Sequence, residues 1–275
     1  MAHVVVITHR YDVFSEDDYL LRDLARRWDR AGHRLTMLWG LGSWPAADVA
    51  ILHVDLSVVP AAYAEACKRY PVVINGAALD IRKRHVSRHL VTRGDGWDGP
   101  VILKTDLNYG GIRERRLLYL MRREGRAAEE MPDDIVYAER AYPVFASPSD
   151  VSEADWNNPG LVVEQFRPEQ DERGYWLRVW VFFGDRERCN RYLGDQAIIK
   201  GSNVKAKEPA EVPEAMRAER RRLGFDYGKF DFVMNDGEAI LLDANATPGA
   251  PPPSPELEAS NDYLAGGLDS FLKRP

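Results

Sequence analysis

The apolar and polar positions in the first part of the chain predict alternating strands and helices. Four short apolar runs, rich in β-branched residues, predict strands at residues 3–7, 34–38, 49–54 and 71–74. Between the first two runs, apolar residues at helical spacing predict a helix that is capped by Ser15–Asp18 and continues to Trp28. A second helix is predicted at residues 60–70. Strands that alternate with helices predict a βαβ domain over residues 1–76.

The pattern changes after this opening domain. The basic segment 77–92 predicts a helical bridge, and Gly-rich turns with alternating strands from about Gly94 onward are typical of an α+β module. Residues 250–255 predict an extended polyproline stretch that is followed by a short C-terminal helix. The predicted fold class is therefore α/β followed by α+β.

The segment 228–249 carries the most informative chemistry. Asn235-Asp236-Gly237 predicts a tight turn between two strand-like runs, so Asp231 and Asp243 become neighbours across a hairpin. The alternation of side chains along a strand places Asn245 on the same face as Asp243. Two carboxylates and an amide oxygen suit Mg²⁺, which also binds substrate phosphates. The alternative is an ordinary strand with solvent-facing acids, closed by a Thr-Pro-Gly turn.

A second candidate site is the apolar run 101–103, which leads into Lys104 and then into Gly110-Gly111. A lysine in a buried strand is costly unless an anion compensates its charge. A glycine pair lets backbone N–H groups approach phosphate oxygens closely, so the segment predicts a phosphate site. The alternative is an edge-strand lysine beside a turn. The spacing differs from that of a P-loop, which argues against a Walker-type NTPase.

A third candidate is the strand that ends in Glu164-Gln165-Phe166-Arg167. Its exit can present backbone groups to the edge of an adenine ring, and Asp171 or Glu172 can then accept hydrogen bonds from ribose hydroxyls. The alternative is a core strand that leaves its sheet.

Composition narrows the class of protein. The chain has 275 residues, 45% of them hydrophobic and 29% charged, which is typical of a globular protein. The formal net charge of −6 argues against nucleic acid as a partner. The start of the chain lacks a basic leader and no apolar run is long enough to span a bilayer, so we expect a cytoplasmic protein with no membrane partner. Neither the two cysteines nor the scattered histidines show metal-ligand spacing.

The order of these three segments resembles the ATP-grasp superfamily over residues 75–249. The resemblance implies an N-terminal Rossmann-like (pre-ATP-grasp) domain followed by a two-lobed ATP-grasp domain that grips ATP. The implied boundaries are 1–76 for the first domain, 77–92 for the bridge, 93–163 for the small lobe and 164–275 for the large lobe.

The resemblance also implies roles for individual residues. Lys104 matches the phosphate-binding lysine, and Gly110-Gly111 the loop that closes over the phosphates. Glu164, Gln165, Phe166 and Arg167 match the hinge to adenine, with Asp171 or Glu172 as the ribose acid. Either Lys83 or Arg84 matches a further phosphate-binding cation. Asp231, Asp243 and Asn245 match the ligands of Mg²⁺, with Mn²⁺ as an alternative metal.

The strand 177–184 is similar to one in ribosomal-protein-glutamate ligases and glutathione synthetases, although Trp176 replaces an acid found there. In that comparison Arg178 matches the catalytic arginine on the reacting phosphate, and the phosphate side of the cleft is lined by Arg191, Lys200 and Asn203. The implied activity is ATP-dependent ligation of a small-molecule or peptide carboxylate to an amine or a thiol through an acyl phosphate. The alternatives are a phosphotransferase and a non-catalytic nucleotide-binding protein.

The sequence gives less information on substrates and assembly. His9 and Arg10 follow the first predicted strand, where open α/β sheets bind ligands, and they are candidates for anchoring an acidic substrate. The resemblance is compatible with a homodimer, but composition does not determine the oligomeric state.

Overall fold

The computed structural model describes residues 1–12, 14, 19–126, 136 and 142–272. Its N-terminal domain is built on a parallel sheet whose strand order is β2-β1-β3-β4. The elements in chain order are β1 His3–Thr8, α1 Leu20–Arg30, β2 Arg34–Trp39, β3 Val49–Leu52, α2 Ala61–Cys67 and β4 Val73–Ile74. These elements confirm the predicted α/β opening. The predicted cap at residues 15–18 lies outside the described residues, and α1 has Tyr19 at its N-cap position.

The bridge differs from its prediction. Its helical part is one turn, α3 Lys83–Val86, so the prediction of a helix across 77–92 is wrong for most of that segment. The reason is that residues 79–81 run extended beside the loop after β3. There the Val59 N–H donates to the Leu79 carbonyl at 2.8 Å, and the Ile81 N–H donates to the Ser57 carbonyl at 2.8 Å.

A small antiparallel sheet follows, with the strand order β6-β5-β7. The elements of this part of the chain are β5 Val101–Thr105, α4 Ile112–Arg123, β6 Val144–Phe145, α5 Glu153–Trp156 and β7 Leu161–Gln165, with 3₁₀ turns at Asn108–Gly111 and Pro148–Asp150. The predicted lobe boundary between residues 163 and 164 falls inside β7.

The third sheet is large and antiparallel, with the order β11-β10-β9-β12-β13 and β8 paired to β9. It comprises β8 Glu169–Asp171, β9 Gly174–Phe183, β10 Arg186–Gly194, β11 Val204–Pro209, β12 Tyr227–Asn235 and β13 Glu238–Asn245. The helices α6 Glu214–Arg222, α7 Pro255–Ala265 and α8 Asp269–Leu272 complete the chain, with 3₁₀ turns at Gly201–Asn203 and Gly266–Leu268. The expected C-terminal helix is therefore present as α7.

Side-chain alternation gives the large sheet two different faces. On one face Trp180, Phe182, Phe230 and Phe232 form a core with α6. On the other face Val181 and Phe183 pack in the core that includes α1 and α7. Polar residues of β12 and β13 lie on this second face, beyond the apolar packing. Within the described residues, no helix is long and apolar enough to cross a membrane.

Candidate functional site

The hairpin of β12 and β13 places two carboxylates side by side. Asp231 pairs in register with Asp243, and Lys229 pairs with Asn245. Asp236 and Gly237 turn the chain with positive φ values of 49° and 82°, as the Asn-Asp-Gly sequence predicts. Because Phe230 and Phe232 face the core, the alternation of side chains turns Asp231 to the opposite face.

Two lysines neutralise this acidic pair. Lys229 Nζ lies 2.8 Å from Asp231 Oδ2, and Lys83 Nζ forms a short ion pair with Asp243 Oδ1. Burial raises the pKa of Asp231, with Lys229 opposing that effect. Burial also opposes ionisation of Asp243, but Lys83 and Lys229 outweigh it and hold the pKa of Asp243 below its ordinary value. The site therefore keeps Asp243 ionised.

The carboxylates fit a divalent cation with oxygen ligands. Asp231 Oδ1 is buried and has no hydrogen-bond partner among the described residues, so it is available to a ligand. Asn245 fits less well, because its Oδ1 accepts a hydrogen bond from the Thr247 N–H at 2.8 Å. In the described part of the chain, no group of three or more His, Cys, Asp or Glu residues could hold a metal by itself. An ion held by Asp231 and Asp243 would thus need further oxygens, such as those of phosphates.

Lys104 lies in the same cleft, on β5 of the small sheet. Its Nζ is 2.8 Å from Glu164 Oε2 and donates to the Leu242 carbonyl at 3.3 Å, which joins the small sheet to β13. Lys104 is 8% exposed and Glu164 is 2% exposed. Glu164 therefore compensates the charge of Lys104 at the wall of the cleft.

A cavity of about 300 Å³ opens beside Lys104 and the acidic pair. Ile102, Tyr142, Phe166, Trp176 and Ile198 give it apolar walls. Its other lining residues include the sequence-predicted Lys83, Lys104, Gln165, Arg167, Lys200, Asp231 and Asp243.

Two of the backbone N–H groups in the predicted hinge donate hydrogen bonds within the protein. The Gln165 N–H donates to the His89 carbonyl at 2.9 Å, and the Phe166 N–H donates to the Pro100 carbonyl at 2.8 Å. The side chain of Arg167 is bound to Asn235 and Glu238. Among the described residues the Arg167 N–H makes no backbone hydrogen bond, and Arg167 lines the cavity.

Lys83 and Arg84 lie in different surroundings. Lys83 lines the cavity, whereas Arg84 turns away and binds Asp106, with its Nε 2.7 Å from Asp106 Oδ2. Gly110 and Gly111, with φ values of 65° and 69°, are buried at the start of α4. The neighbouring Asn108 and Tyr109, rather than the glycines, line the cavity.

Arg178 does not enter the cleft, contrary to its predicted role. It pairs in register with Phe232, whose side chain lies in the core on the far face of the sheet. Its Nε and Nη2 donate to Glu169 at 2.9 and 2.7 Å. The alternation of the strand, which puts Val179 beside Asp231, turns Arg178 to the other side.

The lining of the cavity beside Lys104 also lacks the predicted Glu164, Asn245, Asn203, Arg191, Asp171 and Glu172. Asn203 holds its own turn, since Oδ1 accepts from the Lys200 N–H and Nδ2 donates to the Ile198 carbonyl. Arg191 stacks over Trp176 and pairs with Glu208. Asp171 ends β8 and Glu172 follows it in the β8–β9 turn, where Asp171 Oδ1 accepts from the Arg173 N–H.

A second cavity, also of about 300 Å³, borders Asp243 as well. It is lined from the N-terminal domain, α4 and the hairpin by residues that include Tyr19, Asp55, Ser57, Arg113, Lys229, Asn245 and Thr247. Sequence reasoning missed Lys229, although its position two residues before Asp231 places it on the same strand face. His9 is instead buried against the rings of Tyr11 and Tyr63, and neither it nor Arg10 lines the two cavities beside Asp243.

Comparisons with known proteins identify the fold. No protein-family model matches the sequence, and no curated protein matches it. A RimK-domain ATP-grasp protein from Sphaerobacter thermophilus is 16% identical, with 98% of this chain and 99% of that chain covered and a TM-score of 0.52. D-cycloserine synthetase DcsG is 14% identical, with 98% and 100% coverage and a TM-score of 0.51.

A D-alanine–D-alanine ligase from Bacillus anthracis is 12% identical, with 99% of this chain and 97% of that chain covered and a TM-score of 0.50. Likeness at such low identity reports architecture alone, and here it extends over almost the full length of each chain. It agrees with the order of a parallel domain, a small sheet and a large sheet described above. The chain therefore has the ATP-grasp fold.

Proposed function

We propose that this protein is an ATP-dependent ligase that activates a substrate carboxylate as an acyl phosphate and joins it to an amine or a thiol. One observation carries the proposal. Asp231 and Asp243 lie side by side, Asp243 lines both cavities, and Lys83, Lys104 and Lys229 lie around the pair. A site that transfers a phosphoryl group needs this concentration of positive charge and metal-binding oxygen.

In this proposal the nucleotide occupies the cavity beside Lys104. The adenine ring lies against the apolar walls that include Ile102, Phe166 and Ile198, and the Arg167 N–H donates to its edge. The phosphates then extend toward Lys83 and Lys104. The side chains of these lysines start from α3 and β5, so the nucleotide is held by the bridge, the small sheet and the large sheet together.

The acidic pair would hold Mg²⁺. The bound ion supplies charge neutralisation for the phosphates and the transferring phosphoryl group. Asp231 and Asp243 are the residues that fit this role, since one has an unpartnered buried oxygen and the other is kept ionised by lysines. Binding of the ion would compete with the lysines for these two carboxylates.

The substrate carboxylate would enter from the second cavity. Its oxygen attacks the γ-phosphorus, the bond to the bridging β-oxygen breaks, and ADP leaves. The nucleophile then attacks the acyl carbon, loses its proton, and displaces phosphate. Lys229 lines the second cavity and is placed to bind the carboxylate before transfer, and closure of the cleft would keep water away from the acyl phosphate.

Thermal unfolding with and without Mg-ATP tests the nucleotide site. Ligand at about 100 times its dissociation constant should raise the free energy of unfolding by about 2.7 kcal/mol. The double variant Asp231→Asn/Asp243→Asn should lose this gain. The control Asp185→Asn changes an exposed carboxylate in the β9–β10 turn and should retain it.

Turnover is then tested with a panel of carboxylates and amines, with ADP release as the readout. Release that requires both substrates and yields a ligated product supports a ligase. A stable phosphorylated product without ligation would identify a phosphotransferase instead. Wild-type protein that shows no stabilisation by millimolar Mg-ATP would contradict the proposed function at its first step.

A further inference from the structure

A third and larger cavity lies on the same face of the large sheet as the acidic pair. Its volume is about 850 Å³, and it extends from Lys229 across β9 to β10, beneath the segment 248–252. Lys229 and Gly249 line both this groove and the second cavity beside Asp243. The groove is therefore continuous with the proposed reaction centre.

The strand register fixes what the groove contains. Arg188 on β10 pairs with Val181, Val181 pairs with Lys229, and Lys229 pairs with Asn245, so the four form one row across the sheet. Residues in such a row point to the same face. Arg188 and Lys229 are two strand spacings apart, which is about 10 Å. The groove thus has a cation at each end of an apolar floor that includes Val181.

Arg188 has no anionic partner of its own in the described part of the chain. Its Nη1 donates to two neutral acceptors, Ser260 Oγ at 2.8 Å and Asn261 Oδ1 at 2.6 Å. Burial lowers its pKa, and the attraction of Asp23 and Glu256 does not compensate. Both of these acids are already paired, Asp23 with Arg27 at 2.6 Å and Glu256 with Lys207 at 2.7 Å.

The guanidinium is nevertheless held in a defined orientation. Asn261 is 1% exposed, and its Nδ2 donates to Asp23 Oδ2 at 2.6 Å, which fixes its Oδ1 toward Arg188. Within the described residues, Nε and Nη2 of Arg188 have no acceptor, and the side chain lines the groove. A partly buried cation with open donors on a cavity wall is suited to an oxyanion, since charged hydrogen bonds are the strong ones.

We propose that Arg188 binds a second oxyanion of the substrate whose first carboxylate reacts beside Lys229. The inference rests on the proposed function and narrows its substrate class. The substrate carries two oxyanions about 10 Å apart, joined by a body that lies on Val179 and Val181. The distal group is a carboxylate or a phosphate, because either accepts hydrogen bonds from a guanidinium.

Calorimetric titration of the full chain in the presence of Mg-ADP tests this proposal. Suberate and octanoate have carbon chains of equal length but differ in the distal carboxylate, and succinate is too short to reach both cations. Suberate should bind about tenfold tighter than octanoate or succinate. 7-Phosphonoheptanoate replaces the distal carboxylate of suberate with a phosphonate, and whichever of the two binds more tightly identifies the distal group.

Variants assign the effect to Arg188. Arg188→Met should reduce the affinity for suberate to that for octanoate and leave octanoate unchanged, while Arg188→Lys should restore part of the difference. Arg186→Met is the control, since Arg186 lies on the same strand over the ring of Tyr263. Stabilisation of Arg188→Met by Mg-ATP would show that its nucleotide site is intact.

Three results would overturn the proposal: octanoate binding to the wild type as tightly as both suberate and 7-phosphonoheptanoate, no binding of either of these two ligands, or unchanged binding of the tighter one in Arg188→Met. The wild-type comparison is decisive even if Arg188→Met does not fold. Failure of the proposed function is distinguishable, because it would appear as loss of Mg-ATP stabilisation in the wild type. A wild type that is stabilised by Mg-ATP but prefers neither suberate nor 7-phosphonoheptanoate to octanoate contradicts the role of Arg188 alone.

Discussion

Lys83 and Arg84 are adjacent cations with opposite environments. The side chain of Lys83 is 7% exposed and is paired with Asp243, whereas that of Arg84 is 45% exposed and is paired with Asp106. The attraction of Asp243 raises the pKa of Lys83 against the opposing effect of burial. Lys83 is therefore a permanent positive charge next to the acidic pair, where the phosphates of a nucleotide would lie.

This difference gives a prediction with a built-in control. Lys83→Met should weaken Mg-ATP binding about tenfold or more, because a charged hydrogen bond to phosphate is lost. Arg84→Met should change the affinity less than about twofold, since Arg84 is paired with Asp106 and does not line the cavity. Isothermal titration of each variant measures both effects. A larger loss of affinity in Arg84→Met than in Lys83→Met would show that Arg84, and not Lys83, contacts the phosphates.

His53 predicts a pH dependence of stability. It is fully buried, its ring packs edge-on against Phe14 and Tyr19, and burial lowers its pKa to about 3. The unfolded chain, with a histidine pKa of about 6.5, therefore binds a proton that the folded chain does not. Folded stability is lost as the pH falls below 6.5, by about 2 kcal/mol at pH 5 from this residue.

Denaturant unfolding at pH 7 and pH 5 measures this effect. His53→Leu should lose less stability than the wild type between the two pH values. The exposed His85 provides the control, so His85→Leu should behave as the wild type does. The same loss of stability in His53→Leu and the wild type would show that other groups cause the acid sensitivity.

At the residue level, sequence reasoning succeeded where local geometry decides. The Asn-Asp-Gly turn and strand alternation predicted the pairing of Asp231 with Asp243, which the register shows. The face on which Arg178 lies depends on which side of β9 meets α6, and that information is not local. Lys229 could have been predicted from the sequence, because it lies two residues before Asp231 and therefore on the same strand face.

The strands β5 and β7 are joined by a buried ion pair between Lys104 and Glu164. Lys104 has two separable roles, since it compensates Glu164 and faces the cavity. Lys104→Met should lower the free energy of unfolding by about 3 kcal/mol, because it leaves a buried carboxylate unpaired. It should also reduce Mg-ATP binding and turnover.

The double variant Lys104→Met/Glu164→Gln separates these roles. Removing both charges should recover much of the stability, but not the nucleotide affinity. Chemical denaturation and calorimetry measure the two quantities independently. Full nucleotide binding by the double variant would leave Lys104 with a structural role only.

The 3₁₀ turn after α7 rests directly on β9. A Cβ atom added at Gly267 would lie 2.0 Å from the Phe183 carbonyl oxygen, whereas one added at Gly266 would meet nothing within 4 Å. Gly267→Ala should therefore destabilise the protein by about 3 kcal/mol. Gly266→Ala, at a φ of −61°, should be neutral or stabilising by about 0.5 kcal/mol. Thermal unfolding compares the two variants. Equal melting temperatures would show that β9 moves to make room for the methyl group added at residue 267.

The helix predicted for the bridge is mostly absent because contacts with a distant part of the chain decide its conformation. The basic pattern of residues 77–92 favours a helix locally, but Leu79 and Ile81 instead exchange backbone hydrogen bonds with the loop that contains Ser57 and Val59. The bonded residues of that loop lie 20 and 24 positions earlier in the chain. A long-range pairing of this kind overrides local propensity and cannot be read from the segment itself.

On the scale of the whole molecule, the site exists only where separate sheets meet. Lys104 comes from the small sheet, Asp231 and Asp243 from the large sheet, and Asp55 follows β3 of the parallel sheet. The sequence predicted the order of these modules. Their relative placement depends on contacts such as that between Lys104 Nζ and the Leu242 carbonyl, which no local pattern encodes.

This arrangement predicts how the molecule responds to a nucleotide. A ligand in the cavity beside Lys104 should slow amide hydrogen exchange in β7 and in the β12–β13 hairpin together, because it contacts both sheets. Strands β1 and β2 should exchange at unchanged rates, since residues 3–8 and 34–39 do not line this cavity. Hydrogen-exchange mass spectrometry with and without Mg-ATP resolves these segments. Protection of only one of the two sheets would contradict a nucleotide held between them, and Asp231→Asn/Asp243→Asn should abolish the joint protection.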